Sequence, residues 1–284
     1  MLRLQFEMIL RSRIVESAEA LHRSGVSFAT FATARCNQQF WDLTEKGGFQ
    51  IKAGVTPGEG IRDIFLNGHQ YAFECATAMV IVLYKGVLDS ILESEFNRIF
   101  AGMLLYDWHY DSDLRLIQQQ GSHKAAPGDI LYFNNPDVSS ETLEWKGENV
   151  VKLKEDLFYG HGIGILPAKG IIDSLNQHRR PEATVSAYLT NEVVYPDFIY
   201  LSQFATEGNR KNELSLHTLY HQEYSHRIHA VIGEGSIFCD RAKCKQKRRY
   251  SLAYTRLWDT FRRERFSFPM TFTSKPVQNY FDQY

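Results

Sequence analysis

The chain has 284 residues, of which 44% are hydrophobic, enough for one large domain or two modest ones. Its formal net charge of -1 gives no reason to expect a nucleic-acid or membrane partner, and its four cysteines are too few for a disulfide-stapled secreted domain, so a reducing compartment is expected. The N-terminus lacks the apolar stretch of a signal peptide, and no apolar run reaches the roughly 20 residues of a membrane span.

The first half of the chain carries helical patterns. Apolar side chains recur at helical spacing between residues 4 and 24, which predicts an amphipathic helix that Gly25 ends. Pro57 and Gly58 are interpreted as a turn between short extended segments. Further helices are predicted over residues 61–66, 71–92 and 95–105.

Strand patterns replace the helical ones in the second half. Strands are predicted over residues 130–133, 149–153 and 157–165, followed by a helix over 168–178 and a short apolar segment over 185–189. In the third strand, alternation places His161, Ile163 and Ile165 on one face and three glycines on the other. Helices followed by strands, without regular alternation, predict an α+β fold around an antiparallel sheet.

Cys75 stands near the start of the long apolar helix, directly after Glu74. A helix N-terminus carries about half a positive charge and favours a thiolate, so Cys75 is a candidate nucleophile. The alternative is a small buried residue with no chemical role, which is the common fate of a free cysteine.

A cysteine nucleophile needs a base and a group that orients that base. His161 is the best candidate for the base, with His109 and His69 as rivals, although a histidine in a strand is often a core residue bonded to a carbonyl. Glu74 and Glu148 compete for the third role. Adjacent helical side chains diverge by about a hundred degrees, which counts against Glu74, but spacing alone does not decide between the two.

Five motifs occur in one order, within a resemblance that covers roughly residues 4–190: FECATA (73–78), LYDW (105–108), GDILYFNNP (128–136), WKGEN (145–149) and GHGIGI (160–165). Together they resemble the small spore-coat transglutaminases, the protein-glutamine gamma-glutamyltransferases of Bacillus-type bacteria. The resemblance implies a papain-like core related to bacterial cell-wall peptidases, with the nucleophile helix packed on an antiparallel sheet.

The resemblance also implies roles for the site residues. Cys75 is the nucleophile, Glu148 the principal acid and base, Glu74 a partner that can share that role, and His161 a residue lining the same site. This ranks Glu148 above His161 for proton transfer. Catalysis is expected to be independent of calcium and of any cofactor.

The function implied is acyl transfer from the γ-carboxamide of a protein glutamine to a lysine ε-amine through a Cys75 thioester. The expected partners are proteins of the spore coat, and the expected location is the mother-cell cytoplasm and the spore coat surface. Two alternatives stay open: a papain-like cell-wall amidase or peptidase, and an inactive coat or interaction protein.

The division expected is a catalytic domain over residues 1–192, with an N-terminus short for the family, and a divergent basic extension over residues 193–284. The extension holds a group of His and Cys residues whose spacings fit no standard zinc pattern, followed by a basic run at 243–265. We expect it to be poorly ordered and to have no catalytic role. The His and Cys residues are His217, His221, His226, His229, Cys239 and Cys244.

Overall fold

Six α-helices and fourteen strands make up the part of the chain that this computed structural model describes, residues 2–205, 227–232 and 235–240. The helices are α1 (Leu2–Arg23), α2 (Pro57–Leu66), α3 (Cys75–Leu88), α4 (Glu93–Ile99), α5 (Ala168–Asn176) and α6 (Phe198–Leu201). The strands are β1 (Ser27–Phe28), β2 (Trp41–Leu43), β3 (Phe49–Ile51), β4 (Ala72–Phe73), β5 (Leu104–Leu105), β6 (Leu116–Gln120), β7 (Ile130–Asn134), β8 (Gly147–Lys154), β9 (Leu157–Gly160), β10 (Gly164–Leu166), β11 (Tyr188–Leu189), β12 (Glu192–Pro196), β13 (Arg227–Ile232) and β14 (Gly235–Asp240). None of the described helices is long and apolar enough to cross a membrane.

The central element is a seven-stranded sheet in the order β10–β9–β8–β7–β12–β6, with β11 also pairing with β7. All of its pairs are antiparallel, and β7 runs beside β8 from Ile130 opposite Val151 to Asn134 opposite Gly147. The expected mixture of helices with a sheet is confirmed. Because β12 begins at Glu192 and belongs to this sheet, the sheet extends past the boundary drawn at residue 192 from the sequence.

Helices cover both faces of the sheet, and strand alternation decides which side chain meets which helix. The helices α1 and α3 share one apolar cluster with Ile130, Val151, Leu153 and Tyr159. On the other face, Ile171 and Leu175 of α5 pack in a second cluster with Leu131, Phe133, Val150 and Phe158. The β8 strand is thus apolar on both faces because it lies between two helical layers.

The two long helices cross in backbone contact at Gly86. A Cβ atom at this position would lie 2.7 Å from Cγ1 and 3.2 Å from Cα of Ile14, so only glycine allows the approach. The N-terminal helix, predicted over residues 4–24, is confirmed as α1. Its apolar stripe of Phe6, Leu10, Ile14, Ala18 and Leu21 is fully buried.

The predicted start of the cysteine helix at residue 71 is wrong. Ala72 and Phe73 form β4, which pairs in parallel with β1, and Glu74 is the N-cap. The predicted end at residue 105 of the next helix is also too late, because Leu104 and Leu105 pair with β3. The interpretation of Pro57 as a turn is wrong as well: it begins α2 behind a capping box of Thr56 and Glu59.

The single strand predicted over residues 157–165 is a hairpin. The chain leaves β9 at Gly160 and returns along β10, with Gly164 opposite Gly160. Gly162 in the turn and Gly164 at the start of β10 have φ of +99° and +101°, values that side chains rarely allow and that glycine adopts without strain. His161 therefore lies in the turn, and it shares no strand face with Ile163 and Ile165.

The chain divides into two compact units, Met1–Thr206 and Glu207–Tyr284. In the second unit the described residues form an antiparallel hairpin of β13 and β14, with His229 opposite Phe238 and Ile228 opposite Cys239. The other members of the predicted His and Cys group, and the basic run, lie outside the described residues. Among the residues that the structure describes, no group of His, Cys, Asp and Glu could hold a metal ion.

Candidate active site

The helix α3 starts at the candidate site because Glu74 caps it. The Glu74 carboxylate accepts hydrogen bonds from the backbone N–H of Ala76 (2.8 Å) and Thr77 (2.6 Å) and from Thr77 Oγ1 (2.9 Å). Burial raises the pKa of Glu74, and the bonds from Ala76 and Thr77 oppose that rise. Glu74 is thus held in place by the helix that it caps.

Cys75 is the first residue of α3, half-buried, and its sulfur faces β8. The side-chain Nδ2 of Asn149 lies 3.4 Å from Cys75 Sγ. Burial raises the pKa of the Cys75 thiol well above its usual value; the charges of Glu148 and Glu74 add to the rise, and hydrogen bonds from Asn149 oppose it. Burial and the two carboxylates thus act against the thiolate that the helix N-terminus is expected to favour.

Glu148 is the second residue of β8 and is buried, with 4% of its surface exposed. Burial and the charge of Glu74 raise its pKa well above the usual value, against a hydrogen bond from the backbone N–H of His161. Its Oε1 atom is buried and has no hydrogen-bond partner among the described residues. A buried carboxyl group with a raised pKa and an unpaired oxygen is a candidate for general acid and base catalysis.

Gly160 makes room for the Glu148 side chain. A Cβ atom at residue 160 would lie 2.9 Å from both Cγ and Oε1 of Glu148. A glycine in a strand often marks a place where another group approaches closely. At Gly160 the group that approaches is the carboxylate side chain of the neighbouring strand.

The imidazole of His161 is fully occupied by protein groups. Its Nε2 lies 3.1 Å from the carbonyl oxygen of Phe73 and 3.3 Å from that of Ser27, and its Nδ1 lies 3.0 Å from the hydroxyl of Tyr159. Carbonyls only accept, so we assign the hydrogen to Nε2, which leaves Nδ1 to accept from the tyrosine.

Burial lowers the pKa of His161 to about 4, against the bonds to the Ser27 and Phe73 carbonyls, so the ring is neutral at neutral pH. It makes no hydrogen bond to Cys75 within the described part of the chain. Of the two rival histidines, His69 and His109, both are exposed at the surface. The structure thus brings Cys75, Glu74 and Glu148 together, and it ties His161 to them through the Phe73 carbonyl and its own backbone N–H.

Asn149 is the site residue that sequence reasoning missed. It lies in the WKGEN motif, next to the glutamate that attracted attention. A signal was present: Asn149 shares the strand face of Val151 and Leu153, which pack in the same cluster as α3. A polar residue in line with two core residues is positioned to meet the helix that bears Cys75.

A thiol at a helix start, acted on by a buried carboxylate, is the arrangement that cysteine-dependent acyl-transfer enzymes use. Comparison with known proteins identifies the family of the chain. The sequence model of the family described as protein-glutamine gamma-glutamyltransferase matches residues 1–205. The chain belongs to this family.

Several relatives bear the same name. A protein-glutamine gamma-glutamyltransferase of Bacillus pumilus (strain SAFR-032) is 50% identical over 200 residues, covering 70% of this chain and 80% of that protein. One of Bacillus cereus (strain B4264) is 45% identical over 212 residues, covering 75% of this chain and 76% of that protein.

The solved structure of a transglutaminase from Geobacillus stearothermophilus (without C-terminal extension) is similar, with a TM-score of 0.70 and 52% identity over 72% of this chain and 98% of that chain. The chain is therefore an enzyme of the transglutaminase class, which acts on glutamine and lysine residues of protein substrates.

Proposed function

We propose that the chain transfers the γ-glutamyl group through a thioester on Cys75, with Glu148 moving the protons and no calcium ion taking part. The observation that carries this proposal is the environment of the Cys75 thiol: it accepts from Asn149 and lies within the field of a buried carboxylate, Glu148, that has an unpaired oxygen. Since Glu148 can serve both proton transfers, no metal ion is needed to activate the nucleophile.

The first half-reaction forms the thioester. Glu148 accepts the thiol proton as Cys75 Sγ attacks the γ-carboxamide carbon of a substrate glutamine. The negative charge then develops on the carboxamide oxygen, where the Asn149 amide and the backbone N–H of Cys75 are the available donors. Glu148 returns its proton to the nitrogen, the carbon–nitrogen bond breaks, and ammonia leaves.

The backbone donors at the helix start are few because Glu74 uses two of them. The N–H groups of Ala76 and Thr77 point to its carboxylate, whereas that of Cys75 bonds to none of the described residues. This favours Glu148 over Glu74 as the principal acid and base, since the Glu74 oxygens are occupied and one Glu148 oxygen is not. Glu74 caps α3 and can partly share the role of Glu148 as a base.

The second half-reaction consumes the thioester. The neutral ε-amine of a lysine attacks the thioester carbon, Glu148 accepts a proton from the attacking nitrogen, and the carbon–sulfur bond breaks as Sγ takes that proton. The product is an ε-(γ-glutamyl)lysine isopeptide bond and a regenerated thiol. Water in place of the amine would give glutamate, so the burial of the site serves to favour the amine.

His161 is proposed as a positioning residue of this site. Its ring holds the carbonyl of Phe73, which precedes the Glu74-Cys75 pair, and its backbone N–H holds the Glu148 carboxylate. One residue thus links the segment that carries the nucleophile with the group that transfers its proton.

The biological setting belongs to the same proposal. The resemblance to spore-coat transglutaminases, together with relatives from Bacillus and Geobacillus, supports coat proteins as substrates and the mother cell and spore surface as the place of action. The same resemblance supports a papain-like core, in which the nucleophile helix packs on an antiparallel sheet as α3 does on β8.

The test is amine incorporation into casein. The full-length chain is incubated with casein and a fluorescent primary amine in EGTA, with and without added calcium. Incorporation at equal rates, absent in Cys75→Ala and strongly reduced in Glu148→Gln, is the expected result. Incorporation only with calcium would contradict the proposal that catalysis needs no calcium. Peptidoglycan cleavage without amine incorporation would favour the alternative function, a cell-wall amidase.

A further inference from the structure

Three consecutive glutamines lie exposed on the edge of the sheet. Gln118, Gln119 and Gln120 are the last residues of β6, the terminal strand on this side, and all three are exposed. Polar residues on an edge strand are common as a guard against aggregation. The chain, however, belongs to a family of enzymes whose substrate group is the glutamine carboxamide.

The three side chains divide by strand alternation. Gln119 lies opposite Val193 of β12, and its Oε1 accepts a hydrogen bond of 3.1 Å from the hydroxyl of Tyr195. Gln118 and Gln120 point to the other face. Their carboxamides make no hydrogen bond to any residue that the structure describes, so both are free to enter a site on another molecule.

The backbone around these glutamines is also accessible. Within the described part of the chain, β6 pairs with β12 along one edge only, and no described strand pairs with the N–H and C=O groups of its other edge, where a further strand can add. An extended segment with an open edge is a form in which peptides commonly bind to proteins. The remaining exposed glutamines of the described part of the chain lie in turns or 3-10 helices instead, namely Gln38, Gln39, Gln70, Gln177 and Gln203.

We infer that Gln118 and Gln120 are acyl-donor sites for a second copy of this chain, an inference that rests on the proposed function. Cys75 Sγ of one copy attacks the γ-carboxamide carbon of Gln118 or Gln120 of another. Ammonia leaves and a thioester joins the two copies. A primary amine then attacks the thioester, releases the thiol and leaves an amide on the donor strand; when the amine is a lysine of a further copy, the product is a cross-linked oligomer.

The experiment separates donor from enzyme. Wild-type chain is mixed with a tagged Cys75→Ala chain and a fluorescent primary amine, and the tagged chain is digested and analysed by mass spectrometry. We expect the amine on Gln118 and Gln120. The double variant Gln118→Asn/Gln120→Asn, made in the Cys75→Ala chain, loses that label. The matched variant Gln119→Asn, in the same strand on the opposite face, keeps it.

Casein in the same mixture separates this inference from the proposed function. If casein is labelled while the tagged chain is not, or is labelled only at other glutamines, the donor assignment is overturned and the enzyme activity stands. If wild type labels neither protein, the proposed function fails first. Thermal unfolding of the Asn variants at the wild-type temperature establishes that a lost label is not a lost fold.

Discussion

Replacing Gly160 by alanine adds one methyl group at the point where β9 meets the proposed proton-transfer group. The new Cβ would lie 2.9 Å from Cγ and Oε1 of Glu148 and 3.2 Å from its Cδ. Rotating the carboxylate relieves only part of this clash, because Cγ is also in the way. Gly160 is not among the glycines with positive φ, so the backbone accepts alanine and the perturbation acts on Glu148.

This clash is expected to lower both the stability of the fold and the rate of catalysis. Overpacking of a buried site by a methyl group lowers the free energy of unfolding by about 1–3 kcal/mol. A displacement of Glu148 by about 1 Å is expected to lower kcat/KM by about 100-fold, which corresponds to about 2.7 kcal/mol in the activation barrier. The loss of activity should exceed what unfolding explains, since a protein destabilised by this amount remains folded at assay temperature.

The assay combines urea denaturation with amine incorporation into casein. Gly170→Ala serves as control: it lies in α5, and the three atoms nearest to its Cβ would all belong to Leu166, at 3.2 Å or more. We expect this control to retain wild-type activity, with an unfolding free energy within about 1 kcal/mol of wild type. If Gly160→Ala folds and turns over at the wild-type rate, the position of Glu148 does not limit catalysis and the reasoning is refuted.

Three further predictions concern the groups around Cys75. Glu74→Ala removes the cap of α3 and should lower the free energy of unfolding by about 1–2 kcal/mol in urea denaturation, while Glu74→Gln keeps an acceptor oxygen and loses less. His161 has its folded pKa lowered from 6.5 to about 4. As the pH falls below 6.5 the unfolded chain takes up the proton first, so stability falls across pH 6.5 to 4, by about 3 kcal/mol in total. His161→Gln, which keeps a donor near Nε2, should flatten that slope in urea titrations at stepped pH; an unchanged slope would contradict the assigned burial. Asn149→Ala removes a hydrogen bond that lowers the pKa of the Cys75 thiol, so the pH profile of alkylation by iodoacetamide should move to higher pH; a profile that stays in place would mean that Asn149 does not act on the sulfur.

The elements that the sequence predicts well are those whose apolar pattern records their burial. The stripe of α1 and the apolar runs of α3, β7 and β8 report burial directly, so their existence follows from periodicity. The sequence did not predict the hairpin of β9 and β10, because alternating glycines in a strand and glycines in a turn give the same sequence pattern and differ only in their φ angles. The sequence placed the start of α3 too early because the short strand β4 is held by pairing with β1, more than forty residues earlier, and no local pattern shows that pairing.

The sequence predicted which residues form the candidate site, but it did not predict their pKa values or hydrogen bonds. The motifs identified Cys75, Glu74, Glu148 and His161 as neighbours of one site. The direction of their pKa shifts depends on burial and on charges from separate elements, which no local pattern contains. The free imidazole expected of a catalytic histidine is likewise excluded by the carbonyls of Ser27 and Phe73, which come from β1 and β4, and by the hydroxyl of Tyr159.

The order of these residues along the chain has a consequence during synthesis. Asn149 follows Cys75 by 74 residues, and His161 follows Phe73 by 88. At a translation rate of about 5–20 residues per second, Cys75 leaves the ribosome several seconds before the strand that completes its surroundings. A nascent chain therefore carries the sulfur before Glu148 and Asn149 are present, and by the mechanism proposed above it can form a thioester only once β8 and β9 have joined the sheet.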